Sequence, residues 1–168
     1  AADLLDWSLA RLEQTGISHA QGPAHYERGE VALARGDVLA ARQEFRRAIE
    51  LLRDAGIIHV QFASAVDGLA RIVQDQRPDA AVQAFAAIAT WQQRTGFRSA
   101  PGEEQARDQA LADGRKRLGE EQFAVMWERG HRTTLTAAAD LVAGIEVKVE
   151  APKPVARRRA EPSVERLT

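Results

Sequence analysis

Cysteine is absent from this 168-residue chain, which excludes disulfides, thiolate zinc sites and thiol nucleophiles and fits a reducing compartment. Asparagine is absent too, and lysine occurs only at Lys116, Lys148 and Lys153 while arginine and alanine abound, a bias that fits a GC-rich bacterial genome. Neither sign of charge prevails. With 23 basic and 24 acidic side chains the formal net charge is −1, so no global field draws nucleic acid, anionic lipid or acidic substrates. No apolar run approaches the roughly 18 to 20 residues that span a bilayer, and a start bearing Asp3 and Asp6 does not resemble a signal peptide. These features read as a cytoplasmic protein without a membrane partner. There is no glycine-rich phosphate loop ending in Lys-Ser or Lys-Thr, no His-Glu-x-x-His and no calcium-loop spacing. The chain is read as non-enzymatic, with no cofactor or metal of its own.

The composition, 45% apolar and 28% charged, suits one ordinary globular domain. Its most informative stretch is Gly29 to Asp37 followed by Ala41, Phe45 and Ala48 on one helical face, and Gly68 stands to Ala81 and Phe85 nearly as Gly29 stands to Ala41 and Phe45, 39 positions later. Self-similarity at that period predicts an all-α fold, a tetratricopeptide-like α-solenoid of antiparallel helix pairs over residues 1–144. Residues 145–168 read as a basic, proline-rich, disordered tail: Ile145, Val147 and Val149 alternate with charges as a short edge strand would, but Pro152, Pro154 and Pro162 forbid regular structure beyond. Lys153, Arg157, Arg158, Arg159 and Arg166 against Glu161 and Glu165 leave a net charge of +3 on residues 151–168. Because the chain opens at Ala1 without methionine, directly in a helical array, it reads as an excised piece of a longer protein.

The punctuation predicts individual helices. A first runs from Asp3 to Gln14, stopped by Gly16, and a second from Pro23, placed in its first turn where a missing amide costs nothing, to Arg35. Gly29 in its middle marks close approach of another helix backbone. Asp37 caps a third helix, Val38 to Arg53, and Gly56 closes it; a fourth runs from about Ile58 to Gln74 with Phe62, Val66, Leu69, Ala70 and Val73 on one stripe. A fifth spans Asp79 to Arg94 up to Gly96. Pro101-Gly102-Glu103-Glu104 reads as a loop feeding a polar helix to Leu118 with Ala106, Ala110 and Leu111 as its apolar contacts, then come Glu120 to Arg129 and a last helix capped by Thr134 that ends near Ala143.

Gly29, Gly36-Asp37, Ala41, Phe45 and Ala48 resemble the tetratricopeptide pattern, in which small residues sit at helix crossings and an aromatic packs between helices; His25 and Ala32 stand where that pattern prefers large aromatics. The segment Leu118 to Gly130, followed by Thr134 to Ala139, is similar to the segment closing the helical-repeat region of large ATP-binding LuxR-type bacterial transcriptional regulators, some fused to nucleotide-cyclase domains. In that family an ATPase domain precedes the repeats and a helix-turn-helix that commonly opens Leu-Thr, as Leu167-Thr168 would, follows them. The resemblance implies ATP only for a missing upstream domain and DNA only through a missing downstream one. It implies a regulatory module whose concave face, lined by the first helix of each pair, takes a protein, a peptide or a small effector. By that analogy the partner-binding residues are His25, Tyr26, Arg28 and Glu30, with His59, Gln61 and Asp67 from the next pair. The alternative is a stand-alone scaffold for protein–protein assembly.

Other residues carry a sharper and a blander reading. His19 and His25 could share a metal but read as ordinary surface or packing histidines, and His59 and His131 have no neighbour in sequence. Glu103-Glu104 and Glu120-Glu121 could be acid–base pairs, yet each sits at a helix start where carboxylates favour the positive dipole end; an enzyme would need them to converge. Trp91 and Trp127 could line a groove but read as core. Arg157, Arg158 and Arg159 could contact phosphates, though such a run is more often a solvated linker.

Overall fold

A computed structural model describes residues 18–148 together with Trp7, Ala10 and Arg11, and only the backbone of Ser18 and His19. The Gly16 stop, most of the expected first helix, and the tail with Arg157, Arg158 and Arg159 lie outside the described residues. Those described form helices and no strand: α1 (Ser18–Ala34), α2 (Val38–Asp54), α3 (Val60–Val73), α4 (Pro78–Thr95), α5 (Pro101–Leu118), α6 (Glu120–His131) and α7 (Leu135–Ala143).

The helix α1 begins a turn earlier than Pro23 predicts, so the proline is inside it. Proline removes the hydrogen bond back to the carbonyl of His19. The packing beside it is close: a Cβ on Gly22 would stand 2.6 Å from Leu52 Cγ. As α1 runs from Gly22 to Gly29, its contacts on α2 run back from Leu52 to Phe45.

What approaches Gly29 is a side chain rather than the backbone that the sequence suggests. A Cβ there would lie 2.5 Å from Phe45 Cε1, and one on Gly68 would lie 2.6 Å from Cε2 and Cζ of the same ring. Phe45 is therefore held edge-on between α1 and α3 by two glycines 39 positions apart, completely buried and beside the Tyr26 ring at a centroid distance of 6.1 Å. Phe45, Phe85 and Trp127 are each the eighth residue of their helix.

The apolar stripes of α2 and α3 pack as expected, with Ala41, Phe45, Ala48, Leu52, Phe62, Val66, Leu69 and Val73 fully buried. More is buried on α3 than its stripe. It touches α1, α2, α4, α5 and α7, so every residue from Phe62 to Ala70 is inside, including Ser64 and Asp67. The helix starts at Val60, with His59 as its cap, because the imidazole Nδ1 accepts the Gln61 amide at 3.2 Å. Polar α5 follows the sequence at Ala110 but also buries Arg107 and Gly114.

The last helix is capped by Thr134, whose hydroxyl accepts the Ala137 amide, and it returns to the start of the fold. Asp140 pairs with Arg53 at 2.7 Å, and Arg42 donates to the carbonyls of Ala143 and Ile145 at 3.1 and 2.7 Å. Ile145 and Val147 pack against the core, and the Lys148 backbone exchanges two hydrogen bonds with the Gln76 amide group.

One crossing is especially close. A Cβ on Gly130 of α6 would meet the Gln83 carbonyl oxygen and the Ala86 methyl of α4, and backbone cannot swing aside as a side chain can. Gly130→Ala should therefore destabilise the fold by about 1–3 kcal/mol, read as a lower urea midpoint at unchanged slope; an unaltered midpoint would mean that the helices do not meet there.

Candidate functional site

Burying Asp67 on the central helix obliges the surrounding helices to supply partners, since an unpaired interior carboxylate is costly. Its side chain is 1% exposed. From one turn along α3, Arg71 Nε donates to Oδ2 at 3.0 Å, and its Nη2 reaches across to Glu30 on α1. From α5, Arg107 Nε lies 3.3 Å from Oδ1, but its direction leaves that oxygen without a hydrogen bond. Arg107 spends its remaining donors on Ser99 Oγ at 2.7 Å and Gln92 Oε1 at 3.4 Å. Alongside, Glu103 at the start of α5 accepts from the Tyr26 hydroxyl on α1 and from Ser64 Oγ on α3 at 2.9 Å. One polar band thus joins α1, α3 and α5.

The band holds three carboxylates, Glu30, Asp67 and Glu103, against two guanidiniums, Arg71 and Arg107. Burial decides which carboxylate bears the imbalance: it pushes Asp67 up to about 6, against the pull of Arg107 and Arg71 and with Glu103 adding to the rise. Burial tends to lower Arg71, but Asp67 and Glu30 together hold its pKa above the ordinary value. Burial and the bond to Glu103 raise the Tyr26 phenol, which therefore stays a donor throughout the physiological range.

The residues expected to bind a partner separate into three groups. Tyr26, Glu30 and Asp67 belong to this band. His25 and Arg28 face α2 instead, both on Glu44, at 2.6 and 3.2 Å. His59 and Gln61 sit at the start of α3, where the histidine is occupied as a cap. The sequence reading did not include Ser64, Arg71, Glu103, Ser99 or Arg107 in this group. Arg71 has a local signal in its i,i+4 spacing from Asp67, and Ser64 lies one turn before Asp67 on the same helix; Ser99, Glu103 and Arg107 are 32 to 40 positions away.

The acidic pairs do not converge. From Glu104 to its end α5 runs about 21 Å before Glu120 opens the next helix, with Glu103 inside the band and Glu120 on exposed Arg115. His25 is engaged by Glu44, and the side chain of His19 lies outside the described residues. Among the described residues no three His, Cys, Asp or Glu side chains are grouped to hold a metal ion.

Trp91 and Trp127, read as core, are only half-buried, and each lines a cavity. Both pack against the core without being enclosed by it. Trp127 stacks on Phe123 above a groove of about 560 Å³ between α5 and α6. Trp91 stacks on Phe97 and walls a cavity of about 420 Å³ between α4, the turn before α7 and Ile58. No family model matches the chain, and neither a curated protein nor a solved structure matches it.

Proposed function

We propose that this chain is a non-catalytic regulatory module, a tetratricopeptide-like α-solenoid of antiparallel helix pairs that serves as the sensor portion of a bacterial LuxR-type transcriptional regulator in the cytoplasm. The observation that carries this reading is the band Glu30–Arg71–Asp67–Arg107 with Tyr26–Glu103–Ser64, which ties α1 to α3 and α5, the first helices of successive pairs on the repeat reading. A protein, peptide or small effector that shifts α1 against α3 must stretch buried charge-assisted bonds, which are short, directional and costly to leave half-made. Binding on that row is thereby converted into a change of helix stacking, and stacking is what an upstream ATPase or a downstream DNA reader can sense. The recurrence of an aromatic as the eighth residue of α2, α4 and α6 supports the repeat reading.

The reading frame that encodes the chain supplies the test. A nucleotide-binding loop encoded upstream and a three-helix DNA-binding pattern encoded downstream are the expected result. A frame that holds the repeats with neither domain would overturn the regulator and leave the scaffold.

A further inference from the structure

The cavity beside Trp91 shares none of its lining residues with the polar band, and its chemistry is different. Ile58, Ala87, Trp91 and Leu135 give it apolar walls, Arg94 provides a single cation, and no carboxylate lines it. Among the described residues Arg94 has no ion pair or hydrogen-bond partner, whereas Arg71 and Arg107 are both engaged. At about 420 Å³ the cavity is within the range that small organic ligands occupy.

Of the five threonine hydroxyls that line it, Thr95 gives its proton to the Trp91 carbonyl and Thr133 to that of Arg129. Thr90 Oγ1 is engaged by both the Ala86 carbonyl and His131 Nδ1, and Thr134 and Thr136 bond each other. What Thr95 and Thr133 have left for a ligand is acceptor capacity. The complement of such a lining is an apolar body carrying a hydrogen-bond donor and ending in one negative charge. A single guanidinium without a second cation suits a carboxylate, which it can hold with two parallel bonds, better than a multiply charged phosphate.

We infer that this cavity is a binding site for a small apolar carboxylic acid bearing an N–H or O–H donor, with its carboxylate on Arg94 and its donor on the threonine oxygens. The site does not depend on the regulatory reading, because it would exist equally in a scaffold. Arg94 is exposed at the end of α4, so replacing it leaves the fold intact.

Indole-3-acetate is a suitable probe, with 1-benzothiophene-3-acetate lacking the donor and indole-3-ethanol lacking the charge. Titration calorimetry on the 168-residue chain should show saturable binding of indole-3-acetate, with amide shifts clustered on residues 90–95 and 133–136. Arg94→Gln should weaken it about tenfold, as loss of a charged hydrogen bond does, while Arg94→Lys keeps most of the affinity and both variants melt with the parent. Both analogues should bind more weakly than the probe. No saturable binding at low-millimolar concentrations, equal affinity in Arg94→Gln, or shifts centred on the α5–α6 groove would each overturn the assignment.

Discussion

Phe45→Ala should destabilise the chain by about 3–5 kcal/mol, the usual cost of emptying a buried phenylalanine site, and it should reverse the sign of a second substitution. The ring is held on opposite edges by Gly29 and Gly68, with hypothetical Cβ atoms at 2.5 and 2.6 Å. Neither glycine can become alanine unless the ring moves, and the ring cannot move away from one without pressing on the other. Gly68→Ala alone should therefore cost about 1–3 kcal/mol through overpacking. Once Phe45 is alanine the obstruction is gone, and the same change gains up to about 1 kcal/mol because alanine is the better helix former. Urea unfolding of the four proteins in the cycle measures the coupling directly. An equal effect of Gly68→Ala in both backgrounds would contradict the slot.

That slot shows what a sequence can reveal by itself. Gly29, Gly68 and Phe45 are visible as a repeat because each helix must hide one stripe, and a mid-helix glycine is tolerated only where something fills the space of its side chain. The stripes of α2 and α3 and the glycine that closes α4 in a left-handed turn, Gly96 at φ 75°, follow from local rules alone. The polar band does not. Periodicity treats Asp67 as a residue off the stripe and so as solvated, yet α3 has neighbours all round and the carboxylate is interior. Its partner Arg107 is 40 positions away on a helix whose pattern is too polar to assign a buried face, and an arginine entering the interior looks in sequence like one leaving it. Trp91 meets the core reading in part: it packs against the core as an aromatic on an apolar face should, and its half-buried ring also walls a cavity that periodicity does not indicate.

Removing the carboxylate of Asp67 should have the second large effect, and its pH dependence carries the sign. Asp67→Ala leaves Arg107 with only Ser99 and Gln92, and Arg71 with only Glu30. Breaking a buried pair in this way costs about 3–5 kcal/mol, since the stranded guanidiniums keep their desolvation penalty. Asp67→Asn retains shape and a hydrogen-bond acceptor and should cost less. In the parent, burial raises this carboxyl from 3.8 to about 6, so between those values the folded chain holds a proton that the unfolded chain releases. Stability from this group is therefore fully present below about 4 and is lost as pH rises through about 6, by up to a tenfold change in the folding equilibrium per pH unit within that window. This runs opposite to an ordinary salt-bridged aspartate, whose stabilisation is lost on acidification. The amide of Asp67→Asn cannot titrate, so the difference in unfolding free energy between parent and variant should change between pH 4.5 and 7, with the parent favoured at the acid end. A constant difference across that range would place Asp67 at or below its ordinary value, with Arg71 and Arg107 at least offsetting burial.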